Sequence, residues 1–131
     1  MNRIIGTIII LLLTIALVTT EFIINTNTAS SVNEKIYSAD EMASKNQISE
    51  AHKKMDEAMQ EWDHHVQSML LFYSHQKPDE IEESLHTAKS YLDQGEISFF
   101  HAECKLIIIR LKQFNDLEYP TIRNMMKLVQ N

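Results

Sequence analysis

The sequence predicts an all-α protein, in which an N-terminal transmembrane helix is followed by an antiparallel array of four to five helices. Three observations support this prediction. The 131 residues include only two glycines and two prolines, whereas an all-β fold needs turn residues often. An uncharged apolar segment lies near the N-terminus. Beyond it, apolar residues recur at intervals of three and four, which is the spacing of one helix face.

The N-terminal segment, residues 1–24, is predicted to be a membrane anchor. Residues 4–20 contain no charged side chain, and the apolar run continues past Glu21 to Ile24. A helix needs about 20 apolar residues to cross the hydrocarbon core of a bilayer. The alternative is a cleaved signal peptide. Its apolar region spans about 7–15 residues before a small-x-small site, and here the run is longer and no Ala-x-Ala follows it.

The charges around the anchor predict its orientation in the cell membrane. Arg3 precedes the apolar run and Glu21 follows it, so the positive-inside bias places the N-terminus in the cytoplasm and the rest of this single-pass protein outside. Of the twelve Lys and Arg residues, only Arg3 precedes the run. The other eleven, against all eighteen acidic residues, leave a net charge of −7 beyond it. Because nucleic acids and anionic lipids bind basic surfaces, this charge excludes nucleic-acid binding.

A polar spacer, residues 25–30, is expected to join the anchor to an extracytoplasmic helical domain, residues 31–131. The first helix of this domain is expected over residues 31–45. The second helix is the most strongly periodic element of the chain. Its apolar positions are three and four residues apart: Ile48, Ala51, Met55, Ala58, Met59, Trp62, Val66, Met69, Leu70 and Tyr73.

The third helix is expected to begin at Pro78. Proline suits the first position of a helix, and the acidic residues that follow it interact favourably with the positive end of the helix dipole. The sequence DQG at residues 93–95 predicts the end of this helix.

The fourth helix is expected from Glu96 to Phe114, and a last short helix after Pro120. Leu106 and Ile109 lie off the main apolar stripe of the fourth helix, so we expect that helix to be covered on more than one side. If no other element covers these two residues, they would form an exposed apolar patch for a partner. Short connections favour antiparallel neighbours. Both a bundle-like and a tetratricopeptide-like arrangement satisfy this pattern.

Seven residues of the domain carry a family resemblance: Trp62, His75, Asp79, Ile81, Ser84, Leu85 and Asn124. Together with the anchor they resemble the bacterial family designated domain of unknown function 4363, small singly anchored proteins of clostridia and related Gram-positive spore-formers. The resemblance extends over the whole chain, although residues 76–78 depart from the family pattern. It implies the fold and the location. Since the family has no assigned activity, it implies no catalytic residue.

Histidines and carboxylates concentrated between Trp62 and Tyr91 raise the alternative of a metal site. Glu82 and His86 are four residues apart and share a helix face. With His75 and Asp79 they could supply the mixed nitrogen and oxygen ligands of an open zinc-type site.

Other features of this stretch count against a metal site. His64 and His65 are adjacent on a helix, so they point about 100° apart and cannot both join one site. Neither an HExxH motif nor a paired CxxC motif is present. The competing interpretation is structural. His75 would bind the last carbonyls of the second helix, Trp62 would anchor the core, and Asn124 would be a buried or capping amide.

Catalysis is not expected, and no cofactor is expected. Cys104 lies on an apolar stripe, far in sequence from any His–Asn pair that could activate it, so it is expected to be a small core residue. The only glycines, Gly6 and Gly95, cannot form a phosphate-binding loop.

Interaction with other proteins is therefore the expected function. We expect an accessory subunit of another envelope protein, with a membrane or envelope partner or with self-association. The alternative is a metal- or small-ligand-sensing domain that uses the cluster between His75 and His86.

Overall fold

The computed structural model describes residues 2–69 and 76–118. In these two ranges the chain forms four helices and no strand: α1 (Asn2–Ser44), α2 (Ile48–Met69), α3 (Gln76–Asp93) and α4 (Ile97–Glu118). The all-α prediction is confirmed. Outside the described residues lie the helix expected after Pro120, the predicted stripe positions Leu70 and Tyr73 of the second helix, and two residues of the family set, His75 and Asn124.

The first helix joins two parts of the chain that we expected to be separate. α1 runs for 43 residues without a break, which corresponds to about 65 Å at 1.5 Å per residue. We expected a spacer at residues 25–30 and a new helix from residue 31, but the backbone is helical throughout. The polar residues of this segment have modest helix propensity, and neither glycine nor proline is among them. Polar composition alone therefore does not end the helix.

The N-terminal part of α1 is apolar and exposed. In Arg3–Thr20 no residue is buried within the protein. Among the described residues this is the one helical stretch that is long and apolar enough to cross a membrane, a property that signal sequences share.

The C-terminal part of α1 packs with the other three helices into a four-helix bundle. α1 contacts α2 and α4, and α3 contacts the same two helices, so the four helices close a ring in chain order. Neighbouring helices run antiparallel: from α2 to α3, His52 meets Asp93 and Asp56 meets Lys89. In a tetratricopeptide-like array the first and last helices would be separated along a stack. The contact between α1 and α4 therefore identifies a closed bundle.

The core lies between the four helices and, on α2, follows the predicted apolar stripe. Small alanines alternate with large side chains, which lets the helices approach closely and fills the interior. The buried apolar residues are Ala29, Val32, Ile36, Ala39 and Ala43 of α1, Ala51, Met55, Ala58 and Trp62 of α2, Ile81, Leu85, Ala88 and Leu92 of α3, and Phe100, Cys104, Ile107, Leu111 and Phe114 of α4.

Two short turns close one end of the bundle, which we call the turn end. Asn46 lies between α1 and α2 with a φ of 61°, and Gly95 lies between α3 and α4 with a φ of 73°. Both values fall in the left-handed region, which asparagine and glycine tolerate best. The predicted stop at residues 93–95 thus corresponds to the observed end of α3 at Asp93. The opposite end, where α1 enters the bundle at Ala29, is called the base.

Two details of α3 and α4 differ from expectation. α3 begins at Gln76, so Pro78 lies within its first turn rather than at its first position. Proline is tolerated there because the first amides of a helix have no intrahelical partner. On α4, Leu106 and Ile109 are exposed. The expectation that this helix is covered on more than one side is therefore wrong for the described part of the chain.

Candidate protein-interaction surface

The outer face of α4 carries apolar side chains that no described residue covers. Phe99, Ala102, Leu106 and Ile109 are spaced three, four and three residues apart, so they lie on one face of the helix. Phe99 is 57% exposed, Leu106 37% and Ile109 52%, and Ala102 is exposed as well. We call these four residues the α4 stripe. α4 is thus apolar on two sides, one facing the core and one facing outward.

Tyr91 of α3 supports the turn end of the stripe. Its ring stacks on that of Phe99, with 5.4 Å between the ring centroids and 27° between the ring planes. Tyr91 is itself partly buried against the core. Because offset stacking restricts both rings, Phe99 is held in position although more than half of it is exposed.

Two lysines border the α4 stripe on the side of α1. Lys112 lines a groove between α1 and α4 together with Ala29 and Asn33, and Lys105 lies two helical turns before it on the same side. Both lysines are exposed. In the described part of the chain neither forms an ion pair.

Most other cations of the bundle have partners. Lys35 pairs with Glu61, Lys45 with Glu41, Lys54 with Glu57, and Lys89 with Asp56, while Arg110 donates to the backbone oxygen of Glu80 and to Ser84. Among the lysines whose side chains the structure describes, Lys53, Lys105 and Lys112 have no ion pair. The edge of the α4 stripe therefore carries two lysines without a described ion pair, with the exposed Asp116 one turn beyond Lys112, although the protein as a whole is acidic.

The neighbouring helix α1 presents the opposite chemistry. Tyr37 is 61% exposed, and the exposed carboxylates Glu34 and Glu41 lie three residues before it and four residues after it on the same face. We call Glu34, Tyr37 and Glu41 the α1 patch. The hydrogen bond from Lys45 lowers the pKa of Glu41 below its ordinary value, so this carboxylate is ionised at neutral pH.

Asp40 and His101 join α1 to α4 between the α1 patch and the α4 stripe. Asp40 Oδ1 and His101 Nδ1 are 2.7 Å apart. Sequence reasoning missed this pair, because the two residues are 61 positions apart and belong to no local motif.

Cys104 lies one turn beyond His101, on the core side of α4, and is fully buried. Burial, together with the negative charge of Asp40, raises the pKa of its thiol. The thiol therefore stays protonated and lacks the thiolate character that a nucleophile needs.

Trp62 is fully buried near the base of the bundle. Its ring meets that of Phe114 edge-on, with 5.7 Å between the centroids and 78° between the planes, and lies 6.1 Å from the ring of His65. The indole Nε1 has no hydrogen-bond partner among the described residues. Trp62 therefore fills space and contributes no described polar contact.

The other family residues in the described range take ordinary positions on α3. Ile81 and Leu85 are core residues, and the buried Ser84 hydroxyl accepts a hydrogen bond from Arg110 of α4. Asp79 is exposed in the first turn. Ile81, Ser84 and Leu85 therefore hold α3 in the bundle, whereas Asp79 lies on the surface.

The histidine cluster is divided between the core and the surface. His65 is buried and His64 is exposed, as their adjacent positions on a helix require. Burial lowers the pKa of His65, and the nearby charge of Glu61 opposes this effect.

Two of the candidate metal ligands lie near each other on α3. Glu82 Oε1 and His86 Nε2 are 4.0 Å apart on the surface of this helix. In residues 2–69 and 76–118, no three His, Cys, Asp or Glu residues are arranged to hold a metal ion. Since His75 lies outside these ranges, the set of His75, Asp79, Glu82 and His86 stays a prediction.

Fold and surface together define a small four-helix bundle on an extended apolar N-terminal helix, with one amphipathic outer face left uncovered by the described residues. A family model, domain of unknown function (DUF4363), matches residues 19–125. The match covers most of the chain, and the chain belongs to this family. Comparison with curated proteins and with solved structures found no match.

Proposed function

We propose that the chain is a membrane-anchored, non-enzymatic interaction protein that serves as an accessory subunit in an assembly of envelope proteins. In this proposal the N-terminus lies in the cytoplasm and the bundle lies outside, as the positions of Arg3 and Glu21 favour. The observation that carries the proposal is the exposed α4 stripe, and we infer that a protein partner binds there.

An exposed apolar stripe on a helix needs an explanation because the bundle does not require it for folding. The core side of α4 already supplies Phe100, Ile107 and Leu111 to the interior. Single exposed apolar residues are common on proteins, whereas a contiguous apolar surface with charged edges marks an interaction site. An aromatic ring held in place by Tyr91, as Phe99 is, loses little conformational entropy on binding.

The position of the stripe favours a partner in the same membrane. α1 continues from the apolar segment into the bundle as one helix, and α4 packs against α1 in antiparallel orientation. The α4 stripe therefore runs along the side of the bundle, roughly parallel to the axis of α1. If α1 stands across the membrane, the stripe faces sideways, toward other proteins anchored nearby.

Site-directed photo-crosslinking in cells tests the proposal. A photoreactive amino acid at Ile109 of the full-length chain should yield a discrete covalent adduct with another polypeptide on illumination. The matched control is the same amino acid at Gln60, an exposed position on α2, and should yield little. Absence of an adduct from position 109, or equal adducts from both positions, contradicts the proposed role of this face.

The orientation has its own test. Protease added to intact cells stripped of their wall should digest the bundle, because the proposal places the bundle outside. A C-terminal tag that survives this treatment, but is lost when the membrane is permeabilised, contradicts the orientation and leaves the interaction surface untouched.

A further inference from the structure

We propose that the partner at the α4 stripe is a second copy of this chain. The two copies form a parallel dimer in which the α1 patch of each packs on the α4 stripe of the other. This inference rests on the proposed function, since it names the protein that occupies the same surface.

The two surfaces match in chemistry. Apart from the apolar N-terminal segment, the large exposed hydrophobic residues of the described chain are Tyr37, Phe99, Leu106 and Ile109. All four belong to the α1 patch or the α4 stripe. The patch is an aromatic ring bordered by Glu34 and by Glu41, of which Glu41 is already paired with Lys45. The stripe is an apolar ridge bordered by Lys105 and Lys112. Apolar contact and opposite charges therefore coincide when the two surfaces meet.

The two surfaces also match in height along the bundle. Asp40 lies opposite His101 in the antiparallel α1–α4 pair, so a residue three positions before Asp40 is level with the residue three positions after His101. Tyr37 is thus level with Cys104. Two copies anchored in one membrane with a two-fold axis along its normal keep these levels. Tyr37 of one copy then lies between Ala102 and Leu106 of the other, each about 3 Å away along the axis.

The same register brings opposite charges together. Glu34 is level with residue 107 and therefore lies about 3 Å along the axis from Lys105 of the second copy, at 1.5 Å per residue. Neither side chain has an ion pair within the described part of its own chain, although Glu34 lines a groove between α1 and α2 with Lys35 and Lys54. The hydrogen bond with Glu57 and, to a smaller extent, the charge of Glu34 raise the pKa of Lys54. Packing the two α4 stripes directly on each other would instead place no carboxylate of an α1 patch opposite Lys105.

The contact is small, and the anchor compensates for its size. A standard stable interface uses roughly 20–30 residues on each side, more than the patch and the stripe contain. Confinement of both copies to one membrane, with one orientation, raises their effective concentration. Dimerisation is therefore expected of the anchored chain in a membrane.

Disulfide trapping tests the register. Full-length chains carrying Tyr37→Cys or Leu106→Cys, each with its own affinity tag, are expressed together and oxidised in the membrane. The mixed disulfide should exceed that of the control pair, Gln60→Cys with Leu106→Cys, by about tenfold, because only the first pair is brought within reach by the dimer. The native Cys104 is buried with a raised thiol pKa and should not react.

Charge reversal tests the chemistry. Glu34→Lys and Lys105→Glu should each lower the yield of cross-linked dimer by about fivefold, as expected for replacing one attraction by a repulsion. The two substitutions combined in one chain should restore it. Lys53→Glu, at another unpaired lysine on α2, is the matched control and should leave the yield unchanged.

The outcomes separate this inference from the proposed function. An adduct of position 109 with a different envelope protein, without the mixed disulfide between positions 37 and 106, overturns the dimer and supports the proposed function. An adduct of position 109 within its own chain, for example with residues 119–131, overturns both. Failure of the double charge reversal to restore the dimer overturns the proposed register.

Discussion

At the scale of single residues, the fully buried Trp62 is the largest side chain of the core. Trp62→Ala should lower the free energy of unfolding by about 3–5 kcal/mol, since it leaves a large cavity among packed side chains. Trp62→Phe should cost less, because the indole Nε1 donates to no described residue and only volume is lost. The measurement is denaturant unfolding of the full-length protein in detergent, followed by circular dichroism. As a control, Tyr37→Ala on the surface should stay within about 0.5 kcal/mol.

His65 predicts how stability depends on pH. Burial lowers its pKa in the folded protein below the ordinary value of 6.5. The unfolded chain therefore binds more protons than the folded one in the range below that value, and stability falls as the pH falls through it. His65→Gln should weaken this pH dependence, whereas His86→Gln, at a largely exposed position, should not. Unfolding free energies measured at a series of pH values compare the variants, and identical slopes in all three proteins would count against this role for His65.

At the scale of elements, substitutions in the two turns should have opposite effects on stability. Gly95→Ala places a Cβ at a φ of 73° and should destabilise the bundle by about 1–2 kcal/mol, the cost of the left-handed region for an ordinary residue. Nothing lies within 4 Å of the added Cβ, so the effect is conformational and involves no clash. Asn46→Gly places a residue without a Cβ at a left-handed φ, where it has no steric cost, so this substitution should be neutral or stabilising. Thermal unfolding tests the pair, and equal effects of both substitutions would contradict this explanation.

The elements also show what could be predicted from the sequence. The apolar stripe of the second helix as far as Val66 and the stop after Asp93 depend on neighbours within one or two turns, and these predictions agree with the structure. Closure of the ring by α1 and α4, and the Asp40–His101 pair, depend on contacts between distant parts of the chain. No local pattern contains them.

The α4 stripe could be predicted from the sequence only in part. Helical spacing correctly separated Leu106 and Ile109 from the core side of α4. Spacing gives the direction in which a side chain points, but it does not reveal whether a neighbouring element lies there. For that reason the sequence leaves open whether this surface is covered or exposed, and the structure shows it exposed among the described residues. The unpaired state of Lys105 and Lys112 depends in the same way on where the acidic residues of other helices lie.

At the scale of the whole molecule, α1 predicts a fixed distance between the apolar segment and the bundle. Spin labels attached at Leu17→Cys and Tyr37→Cys, twenty residues apart on an uninterrupted helix, should show a narrow distance distribution near about 30 Å in a bilayer, where an excess of unlabelled chain removes distances between copies. Electron–electron double resonance measures this distribution. Insertion of three glycines after Thr26 should broaden it, because glycine lowers helix stability. A distribution that is already broad in the chain without the insertion contradicts a continuous α1.

The continuous helix also sets the rotational orientation of the bundle around the axis of α1. Each residue added between Thr20 and Ala29 would turn the bundle by about 100° and lift it by about 1.5 Å. One added residue therefore points the α4 stripe away from a neighbour that it previously faced. Seven added residues nearly complete two helical turns. They return the α4 stripe to within about 20° of its original direction and place it roughly 10 Å farther along the axis of α1. Along this segment, any change in the length of α1 therefore also changes the direction in which the bundle faces.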